Sequence, residues 1–230
     1  MTIHRAAVPA PTRGETITDR LREEILAGAF APGTALREIA LAGRYHASRQ
    51  TIREALRALA ELGLVEVYAR RGAVIPKLSP LRAREVYTLR ALVEPFALRL
   101  AMVEGRIKSA ERAAIEAAFA HMRECAESDD MAQLIEADMA FHWALCAPSN
   151  HQLVLDLLER LQASTRQSMV HMKVYGSDAE GEVETHTPVL HAVREGDAEG
   201  ASIALRDHIT QNGERLLMKL LEAAEDHHPA

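Results

Sequence analysis

The sequence predicts a mainly α protein: an N-terminal winged helix-turn-helix joined to a C-terminal all-helical bundle. Three observations carry this. Aromatic residues make up only 4% of the 230-residue chain, while Ala, Leu, Glu and Arg are plentiful, a composition suited to helices packed through small and aliphatic side chains. The β-prone runs fall between Leu64 and Ile75, and after Pro80 only helical periodicity is left. Charge also divides the chain. Residues 1–78 hold 12 Lys and Arg against 8 Asp and Glu, a net +4, and the remainder holds 15 against 25, a net −10. Each part is long enough to bury a core of its own.

Taken in order, residues 1–14, with Pro9, Pro11 and Gly14, read as a disordered arm. Residues 15–78 form the predicted winged helix-turn-helix and 79–226 the helical domain. Ile17, Leu21, Ile25 and Leu26 recur at helical spacing, and Gly28 with Pro32-Gly33 ends that helix near Ala27. Thr34 is the expected N-cap of a second short helix with Leu36, Ile39, Ala40 and Leu41 on its apolar side, ending near Gly43 to Tyr45. Ser48 caps a third, in which Ile52, Ala55, Leu56, Leu59 and Leu62 are the buried stripe and Gly63 the stop. The runs 64–68 and 73–75 then form a hairpin with a basic tip at Ala69-Arg70-Arg71-Gly72. Beyond Pro80, helices are expected over 81–104, 109–127, 130–146, 150–174, 179–195 and 197–224, started by Ser109, Asp130, Asn150, Ser177 or Asp178, and Asp197, and stopped by Gly105, Pro148, Gly176 and Gly196.

Several classes are disfavoured. Cys125 and Cys146 lack CxxC spacing, against a disulfide framework or a thiolate zinc site, and fit a reducing cytoplasm. No stretch approaches a membrane span, and the N-terminus lacks the apolar segment of a signal peptide.

A helix enters the major groove when its leading residues carry donors of the right reach and its opposite face packs into a core. The segment Ser48 to Leu56 has that partition. Ser48 and Thr51 can bond phosphates or bases, Arg49 and Arg53 can fork onto guanine or clamp phosphate, and Gln50 can read adenine. A solvated amphipathic helix would look similar, but the helix-helix-helix-hairpin order favours double-stranded DNA as partner.

Residues 15–76 resemble the DNA-binding domain of the GntR regulator family. The resemblance is carried by Pro32-Gly33 followed by Leu36, Ser48-Arg49 with Arg53-Glu54-Ala55-Leu56, Leu59, Leu62-Gly63-Leu64-Val65, and Arg71-Gly72-Ala73-Val74. It implies that Arg49 and Arg53 contact DNA and that the Arg71-Gly72 wing approaches the minor groove or backbone, with Arg37 a further candidate. One departure stands out: His46-Ala47 replace the usual Gly and β-branched residue before Ser-Arg. If that turn needs positive φ, His46 bears a modest strain.

In the second domain, Asp138 and His142 are i, i+4 on one helix face and can share a cation. His186 and His208 lie on later helices whose apolar stripes face the same interior, and three imidazoles with a carboxylate suit Zn²⁺, Ni²⁺ or Mn²⁺. The bland alternative is an Asp–His hydrogen bond on a solvated face. Residues 81–224 resemble the FCD ligand-binding domain of FadR-type members of the same family, through Leu89-Arg90 with Glu94, Asp138 with Phe141-His142, Ser149-Asn150, His186, Gly196-Asp197 and His208. The resemblance implies a divalent ion held by Asp138, His142, His186 and His208, and an organic-acid effector bound with the help of Arg90. Glu94 and Asn150 complete the effector candidates, although Arg90–Glu94 also reads as a surface ion pair and Asn150 as a helix cap. A homodimeric repressor on a near-palindromic operator is the expectation. Two alternatives are a purely structural metal and a water-activating metalloenzyme; no acid/base pair, nucleophile triad or phosphate loop supports the latter.

Overall fold

A computed structural model of the chain describes residues 13–26, 28–68, 72–128, 131–174 and 179–225. Residues 1–12 of the arm predicted at 1–14, the hairpin tip at 69–71, which includes Arg71, and the predicted helix boundaries Asp130, Gly176, Ser177 and Asp178 lie outside the described residues; Arg13 and Gly14 open helix α1 and so do not belong to an arm. Two compact units result: residues up to Ile25 with Phe30–Pro76, and Leu26–Ala29 with Lys77 onward.

The first unit is a winged helix-turn-helix. Helix α1 spans Arg13–Leu26, β1 Ala35–Leu36, α2 Glu38–Arg44, α3 Arg49–Glu61, β2 Glu66–Tyr68 and β3 Gly72–Val74. The strands form an antiparallel sheet in the order β1-β3-β2, with Leu36 and Val67 both opposite Ala73. Here the structure corrects the reading of Thr34 as an N-cap. The Gly33 N–H donates to the Ile75 carbonyl (2.8 Å) and the Ile75 N–H to the Thr34 carbonyl (3.0 Å). Long-range pairing thus takes the backbone groups a helix start would have used, and Leu36 is buried from a strand. Helix α2 begins four residues later and buries only Leu41, while Ile39 is 70% exposed. In α3 the Ser48 cap is present: its Oγ accepts the Thr51 N–H at 3.0 Å. Ile52, Ala55, Leu56 and Leu59 are buried as the periodicity requires, with Leu62 half-buried at the C-cap.

The second unit is all helical: α4 Pro80–Val103, α5 Ser109–Glu127, α6 Met131–Cys146, a 3-10 turn Ala147–Ser149, α7 Gln152–Val174, α8 Ala179–Glu184, α9 Thr187–Glu195 and α10 Ala198–Glu225. Its core is continuous, with Leu98, Ile115, Met122, Phe141 and Leu205 at its centre. Helix α10 lies along α4, and the approach is close at Gly213, where a Cβ would stand 2.6 Å from the Tyr87 Cβ. The helix expected over 179–195 is instead two, broken at Thr185-His186. Pro188 sits in the first turn of α9; it has no N–H to give back to the preceding turn and its ring excludes that turn's carbonyl. The break sets His186 at a helix start. Among the described residues no helix is long and apolar enough to cross a membrane.

Candidate functional site

Two sets of side chains carry chemistry, one in each unit. In the first, the turn between α2 and α3 has His46 at φ 49°, the left-handed conformation that its replacement of glycine demands and that His accepts more readily than most residues. The turn delivers α3 with Arg49, Gln50 and Arg57 exposed and Arg53 half-buried. Ser48 Oγ is also 2.8 Å from Thr51 Oγ1, and Gln50 Nε2 donates to Glu54 Oε1 at 2.7 Å.

Sequence reasoning missed Glu38. Arg53 donates to both of its oxygens, from Nε at 3.0 Å and from Nη2 at 2.8 Å, and Arg49 Nη2 stands 3.6 Å from Oε2. The Arg53 hydrogen bond holds the Glu38 carboxyl below the usual carboxylate range. These contacts cross from α2 to α3, so no local spacing signals them. Arg37, Arg49, Arg53, Tyr68 and Gly72 line one groove around Glu38. Gly72 is at φ 85°, and any Cβ there would lie 2.7 Å from the Leu36 carbonyl oxygen, so only glycine lets β3 approach β1.

In the second unit, α4 supplies Arg90 and Glu94, α6 Asp138 and His142, the α8–α9 break His186, and α10 His208. One ring nitrogen of each of His142, His186 and His208 lies within 4.8 Å of the others', and all three residues are buried. Asp138 faces two of them: Oδ1 is 3.0 Å from His186 Nε2 and Oδ2 is 3.9 Å from His142 Nε2.

The Nδ1 atoms all turn to partners outside this centre. His142 Nδ1 is 2.6 Å from Glu94 Oε2, and His186 Nδ1 is 3.0 Å from the Glu182 carbonyl. His208 Nδ1 is 3.0 Å from the Thr185 hydroxyl, which donates its own proton to the same Glu182 carbonyl at 2.6 Å. Acceptors at Nδ1 require the proton there and leave the Nε2 lone pairs for a cation, the arrangement that orients metal-binding histidines. His208 Nε2 accepts from the Asn212 amide at 3.3 Å, whereas His186 Nε2 is buried with no hydrogen-bond partner despite its closeness to Asp138. Burial, reinforced by the neighbouring His186 and His142, pushes His208 well below the usual imidazole range and keeps it neutral. Burial alone would raise the Asp138 carboxyl, but its contact with His186 outweighs burial and holds the carboxyl well below the usual carboxylate range. Three neutral-capable imidazoles and a carboxylate fit a divalent cation.

Arg90 and Glu94 are no surface pair. They are 5% and 2% exposed, and Arg90 Nε donates to Glu94 Oε1 at 2.5 Å. Burial would raise the Glu94 carboxyl, yet the charge of Arg90 and the hydrogen bond with His142 draw it down to about 2. A cavity of about 20 Å³ touches Arg90, Asp138 and all three histidines; a second, of about 40 Å³, shares Arg90 and His142 and is walled by Met139, Trp143, Leu158 and Leu161. Asn150 lines neither. It is exposed at φ 51°, ending the 3-10 turn in a left-handed conformation that Asn tolerates, and so does not start α7. Cys125 and Cys146 are buried thiols outside any disulfide, and the Cys146 thiol meets the Glu94 carbonyl.

Comparison with known proteins agrees with both halves. Residues 13–75 match the family described as bacterial regulatory proteins, gntR family, and residues 85–211 match the FCD domain. The HTH-type transcriptional repressor RspR of Escherichia coli strain K12 is 27% identical over 93% of both chains. A probable D-xylose utilization operon transcriptional repressor of Paenarthrobacter nicotinovorans is 29% identical over 86% of both. Among solved structures, a putative GntR transcriptional regulator from Rhodococcus sp. RHA1 superposes with a TM-score of 0.67 at 22% identity, covering 90% of this chain and 99% of its own.

Proposed function

The chain belongs to the GntR family of DNA-binding transcriptional regulators, in the FadR-type branch with a C-terminal FCD domain, and on that premise we propose a cytoplasmic, homodimeric repressor released from DNA by a small organic acid. The observation that carries the effector half is the buried meeting of three histidines and Asp138 beside the guanidinium of Arg90. The residues that would hold the ion are Asp138, His142, His186 and His208. An ion with open positions attracts a carboxylate, and Arg90 in the wall of both cavities would meet its second oxygen. The named repressors among the relatives favour repression. A family of regulators also sets aside the hydrolytic reading of the same residues.

On the DNA side, Arg49, Arg53, Gln50, Ser48 and Thr51 would address one major groove, with Arg37, Arg71 and Gly72 at its flanks. Glu38 holds both recognition arginines in the free protein, so phosphate or guanine must compete with a carboxylate for them. Such competition weakens indiscriminate binding more than binding to a site that repays it with paired hydrogen bonds. Two copies would present two recognition helices to successive grooves, and effector would act by binding the DNA-incompetent arrangement more tightly.

The test is thermal melting of metal-loaded protein against a panel of small carboxylic acids, with His142→Ala alongside. A selective rise in Tm that the substitution abolishes supports the metal-dependent effector pocket. One observation favours a second reading: the cavity at the histidines, about 20 Å³, has room for an ion or a water and not for an acid. If the ion is purely structural, chelation lowers Tm and no acid raises it.

A further inference from the structure

We infer that Glu94 is a positioning residue that ties the anion-reading guanidinium of Arg90 to the metal-facing imidazole of His142, so that ion and effector are bound as one coupled unit. The inference rests on the reading of that site proposed above and assigns Glu94 a role inside the protein in place of effector contact. Its two carboxylate oxygens are divided between the two partners: Oε1 takes the Arg90 Nε–H at 2.5 Å, and Oε2 stands 2.6 Å from His142 Nδ1. All three side chains are buried.

Two consequences follow from the chemistry of the groups. A carboxylate is an acceptor at both oxygens, so His142 carries its proton on Nδ1 and presents a lone pair at Nε2, on the side of Asp138. His186 and His208 owe the same tautomer to the Glu182 carbonyl, directly and through Thr185. Only the His142 link is made by a charged group, and only that link leads on to Arg90. An ion on Nε2 makes the Nδ1–H a stronger donor to Glu94, and a firmly held Glu94 fixes the guanidinium that an acid would meet. Coupling of this kind is reciprocal: whatever orients Arg90 also strengthens the hold on the ion.

An amide at position 94 breaks the relay for a reason visible in the geometry. Gln has one acceptor oxygen for two donors, so either Arg90 loses its partner or the amide N–H₂ meets Nδ1 and drives the proton to Nε2, where it blocks ligation. The experiment uses full-length protein and Zn²⁺ alone, titrated against a competing chromophoric chelator, for wild type, Glu94→Gln, Arg90→Gln and the double variant, with far-ultraviolet circular dichroism as the check on folding. Glu94→Gln is expected to weaken Zn²⁺ by about 10–100-fold, the usual loss for a group behind a ligand histidine. Arg90→Gln, which removes the guanidinium hydrogen-bonded to Glu94, is expected to weaken Zn²⁺ severalfold, and to add nothing once Glu94 is Gln. In parallel, ¹⁵N NMR of the metal-free wild type is expected to show His142 as the Nδ1–H tautomer, a readout that needs no variant to fold. An Nε2–H tautomer, an unchanged Zn²⁺ affinity in Glu94→Gln, or additive effects of the two substitutions would overturn the relay. A wild-type chain that takes no Zn²⁺ would overturn the metal site itself, a different failure from a wild type that binds Zn²⁺ no better than Glu94→Gln.

Discussion

Arg49→Ala separates recognition from stability at one position. Arg49 stands in the first turn of α3 with its side chain 61% exposed, and its ion pair to Glu38 Oε2 is 3.6 Å long. An exposed contact of that length contributes about 0–1 kcal/mol, so the substitution leaves unfolding free energy within about 1 kcal/mol of wild type. Against DNA the expectation is different. An arginine forked onto guanine is worth about 1–3 kcal/mol of discrimination, which is about 5–150-fold in Kd. The assay is fluorescence anisotropy on a duplex selected from a random library, at several salt concentrations, beside urea unfolding of both proteins. A base-reading Arg49 gives a loss confined to the selected sequence. A phosphate-binding Arg49 gives a similar loss on every duplex and a salt slope smaller by about 0.9. Unchanged affinity at every salt concentration would remove Arg49 from the interface. A loss matched by a lower urea midpoint would mean that its role is structural, and would refute the separation.

Gly213→Ala sets a methyl group 2.6 Å from the Tyr87 Cβ; the overpacked α4–α10 contact should cost about 1–3 kcal/mol, read as a lower urea midpoint. Thr185→Val removes the hydroxyl that accepts from His208 Nδ1 and should weaken Zn²⁺ by about tenfold in the chelator competition with little change in secondary structure. Stability should also fall on mild acidification through His171, whose Nδ1 faces the Gln167 carbonyl and whose Nε2 accepts the Leu78 N–H. Burial pushes this imidazole below its usual range, so the unfolded chain takes up the proton first. The contribution is complete above about pH 6.5 and is lost as pH drops below it, with a slope of up to about 1.4 kcal/mol per pH unit. Urea midpoints across that range should flatten by this amount in His171→Gln; an unchanged slope would show that other groups bind the proton.

The sequence by itself determined the division into a basic winged helix and an acidic helical domain, because both rest on local periodicity, capping and charge. Ser48, the Ile52–Leu59 stripe and Gly63 define α3 within a single segment, and even the left-handed turn at His46 was legible from a residue standing where glycine is usual. The i, i+4 pair Asp138–His142 was legible for the same reason, since helix geometry puts both on one face. What only the tertiary structure decided depends on groups far apart in the chain. Thr34 resembles a cap until Ile75 pairs with it, and Glu38 is an ordinary helix-start carboxylate until α3 brings Arg53 to it. Glu94 follows the same logic. Four residues from Arg90 it has the spacing of a surface ion pair, and only the packing of α4 against α6 buries it and sets its second oxygen against His142, 48 positions away. Burial removes the water that would otherwise compete for such a contact, so the strength and purpose of a charged pair are fixed by the fold around it and not by its spacing.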